Sequence, residues 1–321
     1  MSEYGTYVEL LRIIGAVIAG VGLFLYGLEQ FTREVTRVSG ERTQRVFAQL
    51  TASRLRGVLT GAVSTAIVQS STSVSVVVLS LVESGVLTFV KSIPVILGAN
   101  IGTTITSQLV ALRAIDWGTY MLALGFLVSL LPGKAKHAGR VIFTFGFVFF
   151  GLNVVAAALE PLAHLDAAMS VLRRLDDPYS FVLVGMVLTA IIQSSSVSTG
   201  LAVVLVQSHV LSFEAGLGIV MGSNAGTCAT TWIASRGMSK AAKRTAWAHI
   251  GFNVVGVLIF LPVVRWFAEL LHLLPGSDAM QLAHGHLIFN VVTVVIVLLL
   301  FTPFRRVLER WIPDDAPVVV R

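Results

Sequence analysis

The stretch TAIVQSSTS, Thr65 to Ser73, places a glutamine and a run of hydroxyls inside an otherwise apolar segment. A shift of 124 residues aligns it with TAIIQSSSV, Thr189 to Val197, and aligns GANIGTTIT (Gly98 to Thr106) with GSNAGTCAT (Gly222 to Thr230). Gly22, Gly27 and Leu28 meet Gly146, Gly151 and Leu152 in the same register. Between Gly61–Ser107 and Gly185–Thr231, 19 of 47 positions are identical without a gap. Helix packing accounts for a single serine in such a segment. It does not account for Gln-Ser-Ser occurring twice, each time followed 29 residues on by Gly-x-Asn-x-Gly-Thr, so the chain is a duplicated unit.

Hydroxyls, amides and free carbonyls are hard oxygen ligands for an alkali cation, whereas hydroxyls, amide NH groups and open helix N-termini donate to an oxyanion. Neither copy of the motifs holds a lysine or arginine. An anion bound there would depend on helix dipoles and on cations entering with it, because a buried, unneutralised dianion is too costly to hold. Cation and anion would then each raise the other's affinity by the same factor.

These residues must be positioned by membrane helices. The chain has 321 residues, 55% hydrophobic and 12% charged, with a mean hydropathy of +0.84. Nine apolar segments can be marked, at 13–31, 58–84, 92–112, 118–131, 141–159, 181–207, 214–234, 246–264 and 286–304, which makes an all-α polytopic protein whose environment is the lipid bilayer. The net charge of +6 sits in short loops, so it is read as topology and not as a nucleic-acid surface. Arg33, Arg37, Arg42, Arg45, Arg54 and Arg56 precede the first motif, four basic residues lie within 236–244, and four more follow Phe304. Those loops are assigned to the cytoplasm, with the N-terminus outside and the C-terminus inside. Glu3 and Glu9 replace the basic start of a removable signal, and the single cysteine, Cys228, excludes an internal disulfide.

A single span over 58–84 makes the two halves parallel; a re-entrant hairpin with Gln69, Ser70 and Ser71 at its tip makes them inverted. The hairpin is favoured, since irregular backbone at membrane depth is tolerated where it lines a cavity. Lys91, Lys134, Lys136 and Arg140 then lie inside, against Arg113, Arg173 and Arg174 outside. The expected plan is two inverted repeats, about 12–131 and about 136–264, each with a re-entrant hairpin and a transmembrane helix broken at Asn-x-Gly-Thr, plus an extra C-terminal helix at about 286–304.

QSSTS and QSSSV, with GANIGT and GSNAGT behind them, resemble the paired signature of the type II sodium-dependent phosphate cotransporters and their bacterial relatives. The resemblance runs from about Gly15 to Phe304. It implies a plasma-membrane (bacterial inner-membrane) symporter of sodium and inorganic phosphate that works by alternating access, with Na+ as coupling ion and no cofactor. It implies phosphate contacts at Gln69, Ser70, Ser71, Thr72, Ser194, Ser195 and Ser196, with Asn100 beside them. It implies sodium ligands at Gln193, Ser195, Thr227 and Thr230, with Thr103 and Asn224 close by. Electrogenic members carry an aspartate on the helix after the first Asn-x-Gly-Thr, whereas Thr119 to Leu131 here contains no acid. The expectation is electroneutral transport. Two sodium ions per dianion across a tenfold gradient limit accumulation to about 100-fold. Some relatives carry a C-terminal regulatory domain; this chain ends about 17 residues after its last apolar segment, so regulation of that kind would need a separate polypeptide. A homo-oligomer is compatible with the sequence.

AHIGFNVV (Ala248 to Val255) and GHLIFNVV (Gly285 to Val292) set His249 with Asn253, and His286 with Asn290, on one helical face each. Helix-packing contacts suit them, as does support for the site or a pH-sensitive element. Cys228 stands where the first repeat has Thr104, next to Thr227, and is read first as a small buried residue; as a probe, its thiol would be shielded by sodium or phosphate if the site lies there. Glu29, Glu83 and Gln207 are expected to be solvated. Donor chemistry alone leaves open a dicarboxylate or sulfate carrier, or a sensor without transport. No Ser, His and acid set falls in one registered motif, which disfavours an enzyme.

Overall fold

The apolar segments form helices, and the serines, threonines and aspartates at their margins cap them. The computed structural model describes residues 3–39, 53–112, 117–159, 161 and 177–313; Arg42, Arg45, Arg113, Arg173, Arg174 and the chain from 314 lie outside the described residues. Helix α1 (Glu3–Ser39) is followed by α2 (Arg54–Val68), α3 (Ser71–Glu83), α4 (Phe89–Ala111), α5 (Gly118–Ser129) and α6 (Lys134–Leu159). The second half holds α7 (Pro178–Ile192), α8 (Ser195–Gln207), α9 (Phe213–Ala234), α10 (Lys240–Phe260), α11 (Val264–His272), α12 (Asp278–Leu299) and α13 (Phe301–Trp311). Among the described residues, five stretches are long and apolar enough to cross a membrane: Leu11–Phe31, Phe89–Ala111, Lys134–Leu159, Lys240–His272 and Asp278–Leu299. Leu11, Ile14 and Ile18 on α1 and Leu183, Val187 and Ile191 on α7 point outward, as lipid-facing side chains do. The chain is an all-α, multi-pass membrane protein.

The 58–84 and 181–207 segments are both folded back on themselves. Helices α2 and α3 have 15 and 13 residues, hence about 20 Å each, too short for a hydrocarbon core of about 30 Å. The same caps recur 124 residues apart: Ser53 accepts from Arg56 N and Asp177 from Ser180 N, Thr88 from Lys91 N and Ser212 from Ala215 N. The turn at the base of each hairpin also recurs, with positive φ at Gly85 (73°) and at His209 (54°).

Helix directions follow from the contacts. A Cβ on Gly61 would strike the Val95 carbonyl, one on Gly98 the Val58 carbonyl, and one on Gly102 the Ala62 carbonyl, so α2 runs parallel to α4 in near backbone contact. Gly185 against Ile219, Gly222 against Val182 and Gly226 against Met186 repeat that register for α7 and α9. Helix α10 runs parallel to α4, with Ser92–Thr245 and Asn100–Asn253 contacts, and antiparallel to α9, with Thr231–His249 and Cys228–Asn253 contacts. Helices α4 and α9 therefore run in opposite directions. Glu83, at the end of α3, accepts a hydrogen bond from Ser239 N after α9 (2.7 Å), which brings those two ends to one face. Hydrogen bonds from Ser239, side chain first and backbone second, hold the Glu83 carboxyl below its ordinary pKa; it is a cap for α10 as well as a solvated group. Gln207, also expected in water, has a buried Oε1.

The structure corrects the expectation that the Asn-x-Gly-Thr helices are broken. Helices α4 and α9 are continuous through Asn100–Thr103 and Asn224–Thr227. The glycines there, spaced four apart at 98/102 and 222/226, serve close packing and keep their backbone hydrogen bonds. The breaks lie instead at the hairpin tips. Two boundaries also shift: the last membrane helix begins at Asp278 rather than near 286, and it ends at Leu299, before the amphipathic α13. A separate turn, Leu261–Val263 with Pro262, ends α10 and launches α11.

Substituting Gly98→Val or Gly222→Val forces a side chain into a carbonyl and is expected to destabilise the protein by about 3 kcal/mol or more. Gly22→Ala, where nothing lies within 4 Å, should be neutral or slightly stabilising. Thermal midpoints in detergent measure this, and equal midpoints for the three variants would contradict the packing role.

Candidate functional site

Each hairpin tip is built by one residue in a costly conformation. Gln69 (φ 56°, ψ 23°) and Gln193 (φ 61°, ψ 24°) end α2 and α7 in the left-handed region, each donating its backbone N–H to the threonine four residues back, Thr65 O (2.6 Å) and Thr189 O (2.7 Å). Glutamine has a Cβ that disfavours that region, so both positions hold backbone strain of the kind found at functional sites, and at Gln69 the side-chain Nε2 also donates to Ala66 O (2.5 Å). Ser70 and Ser194 follow in extended conformation (φ −146° and −143°) and open α3 and α8.

The two tips face one cavity of about 540 Å³. It is lined by Gln69, Ser70, Ser71, Thr72 and Ser73 from the first tip, by Ile192, Gln193, Ser194, Ser195 and Ser196 from the second, and by Leu25, Leu28, Glu29 and Arg33 of α1. All eight tip residues singled out from the sequence are thus brought together. Ser70 accepts from Ser73 N (3.2 Å) and caps α3, whereas Ser194 makes no capping bond, so the first N–H groups of α8 are uncapped by a side chain. Two helix N-termini and at least six hydroxyls around a shared space supply donors of the kind that suit an oxyanion.

The helix residues stand apart from that cavity wall. Asn100 Nδ2 donates to Asn253 Oδ1 (2.6 Å) and Asn224 Nδ2 to Asn290 Oδ1 (3.3 Å). Thr103 and Thr227 donate to the carbonyls of Ala99 (3.2 Å) and Ser223 (3.0 Å) within their own helices. Thr230 is different: its Oγ1 is buried with no hydrogen-bond partner. Its repeat-one counterpart, Thr106, donates to Gln69 Oε1 (2.6 Å) and lies 3.5 Å from Ser196 Oγ. Gln69 is buried, and the matching Gln193 is exposed. The first tip is therefore clasped to its helix and the second is released from its own. Thr106 was missed in the sequence although Thr230, its copy, was chosen; the repeat register itself held the signal. Glu29 and Arg33 were missed because no local motif marks α1 as cavity lining.

The family model for Na+/Pi-cotransporters matches residues 23–157 and again residues 150–283. The chain belongs to the Na+/Pi-cotransporter family. Among relatives, it is 34% identical over 306 residues to the uncharacterized protein YqeW of Bacillus subtilis, covering 94% of this chain and 99% of that one. It is 24% identical over 302 residues to the putative inorganic phosphate export protein YjbB of Escherichia coli, covering 93% of this chain but 56% of YjbB, so it spans little more than half of that relative. It is 30% identical over 165 residues to the human sodium-dependent phosphate transport protein 2B, covering 45% of this chain and 24% of that protein. No solved structure matches the chain.

In this cotransporter-family chain the His-x-x-Phe-Asn motifs brace both halves. His249 Nδ1 is 2.9 Å from Thr231 Oγ1 on α9, while Asn253 on the same helix accepts from Asn100 on α4. His286 Nδ1 is 2.8 Å from Ser107 Oγ on α4, while Asn290 accepts from Asn224 on α9. Each brace thus ties one repeat's histidine partner to the other repeat's asparagine. Asn253 and Asn290 are in turn fixed by donating to the carbonyls of His249 (3.0 Å) and His286 (2.8 Å). Cys228 points into this brace, accepting from Asn253 Nδ2 (3.3 Å), and is buried away from the tips. The thiol is the small buried residue favoured from the sequence, and its place in the brace, off the cavity lining, makes it unsuited to report cavity occupancy. It should resist a water-soluble maleimide equally with and without sodium and phosphate and react only after denaturation; ligand-dependent labelling of the native protein would contradict this placement.

Proposed function

We propose that this chain carries inorganic phosphate across the plasma membrane in symport with sodium by alternating access, with two inverted repeats, about 12–131 and 136–264, meeting at the cavity between the Gln-Ser-Ser tips. The single observation that carries the reading is the convergence of both tips, each opening a helix N-terminus, on one donor-rich cavity. The names of the relatives supply phosphate as the oxyanion, and the family's name supplies sodium. Opposite directions of α4 and α9 support the inverted plan. With the arginine-rich loops inside, the N-terminus lies outside and the described end of the chain in the cytoplasm.

Phosphate is assigned to Gln69, Ser70, Ser71, Thr72, Ser194, Ser195 and Ser196. Sodium is assigned to the second tip and its helix, where Gln193, Ser195 and the unpartnered Thr230 hydroxyl offer oxygen. Closing the second tip as the first is closed would bring Gln193 to Thr230, as Gln69 meets Thr106. Asn100, Thr103, Asn224 and Thr227 hold the helices that the tips close upon. The name of YjbB favours outward flux as a second reading of the same machinery, since a symporter runs in whichever direction its gradients dictate.

Proteoliposomes should take up labelled phosphate when sodium is supplied outside and not when choline replaces it, with competition by arsenate and none by sulfate or succinate. Gln193→Ala should reduce this uptake at least about tenfold in folded protein. Because Gly118–Ser129 carries no acid and lies against α6, phosphate should evoke no inward current. Sodium-independent uptake, or near-normal uptake by Gln193→Ala, would overturn the coupling assignment.

A further inference from the structure

We propose that Arg33, held by Glu29, receives the anion at the mouth of the cavity on one face of the membrane only. The inference rests on the phosphate-transport reading above and adds a residue that lies outside both repeated motifs.

Among the described residues that line the cavity, Glu29 and Arg33 carry the only charges. They lie one helical turn apart near the end of α1 and form a direct ion pair, with side chains 57% and 67% exposed. Such a pair is weak and readily exchanged, because water and salt screen it and both side chains lose freedom in making it. Phosphate offers the guanidinium the same fork of oxygens with more charge, so it competes with Glu29 for Arg33. Glu29 would be repelled by the incoming dianion and left to water.

The pair has no copy in the second repeat. A shift of 124 residues puts Asn153 and Ala157 of α6 where α1 has Glu29 and Arg33. Helices α1 and α6 are packed antiparallel, Gly20 beside Val155 and Gly27 beside Val148, with Arg140 of α6 3.9 Å from Glu34 of α1. The charged positions and their neutral equivalents therefore lie toward opposite ends of the bundle. Repeats that exchange roles would present an arginine at one mouth and a neutral amide and methyl at the equivalent places of the other. Binding from the Arg33 face gains an electrostatic component that binding from the other face lacks at these positions.

The test compares intact cells with inside-out vesicles from a host without its own phosphate carriers, using inorganic phosphate as probe. In the preparation that exposes the Arg33 face, which is the vesicles on the topology proposed here, Arg33→Ala should raise the half-saturating phosphate concentration about fivefold. Glu29→Gln should lower it, and Arg33→Lys should recover part of the loss. All three shifts should shrink as ionic strength rises, and from the other face all should stay within about twofold. Shifts of the same sign for Arg33→Ala and Glu29→Gln would indicate a structural role and overturn the inference, as would equal effects at both faces or none. Wild-type protein that carries no phosphate in either preparation would instead overturn the transport reading on which the inference stands.

Discussion

A helix that stops halfway across an apolar slab leaves backbone donors and acceptors where no water can satisfy them. The chain does this twice, at Gln69–Ser70 and at Gln193–Ser194, and the surrounding structure answers that one constraint. The left-handed glutamines return their own N–H groups to Thr65 and Thr189, which closes each first helix. The second helices begin at serines whose hydroxyls and N–H groups face a shared cavity. What would be a defect in a lipid-facing helix becomes a polar receptor once it is enclosed by two tips and α1.

Holding such tips in place requires their supporting helices to approach closer than side chains normally permit. Gly61, Gly98 and Gly102, with Gly185, Gly222 and Gly226, allow α2 onto α4 and α7 onto α9 at the level of the backbone. Lipid provides no hydrophobic force between helices, so this close packing and interhelical hydrogen bonds must supply the association. The His249–Asn253 and His286–Asn290 braces are the polar part of that framework. Each spans both repeats, so the two core helices are fixed relative to each other. Gln69 clasped by Thr106, against an exposed Gln193, shows that the tips need not share one state.

Much of this was legible in the sequence, for physical reasons. Period and composition marked the membrane segments; the duplication marked the tips, because Gln-Ser-Ser in an apolar run has few uses. The length of 58–84 and of 181–207, with polar residues at the centre, signalled hairpins. The role of Asn-x-Gly-Thr was misread, since glycine weakens a helix locally and also allows close packing, and only the partner helix decides between the two. The spacing of four between Gly98 and Gly102 was the available clue. Left-handed glutamines follow no residue preference and were invisible. So was the approach of α1 to the tips, a long-range contact that places Glu29 and Arg33 at the cavity without any local pattern.

The central claim is that the cavity between the tips binds phosphate and sodium as one coupled set. Without an arginine inside either tip motif, an anion bound there would have its charge balanced by helix N-termini and by the cation, and linkage would then demand reciprocity. Phosphate affinity of the purified protein, measured by calorimetry in matched sodium and choline chloride, tests this directly. The account predicts that sodium strengthens phosphate binding at least about tenfold, and that phosphate strengthens sodium binding by the same factor. Equal phosphate affinity in the two salts would contradict it.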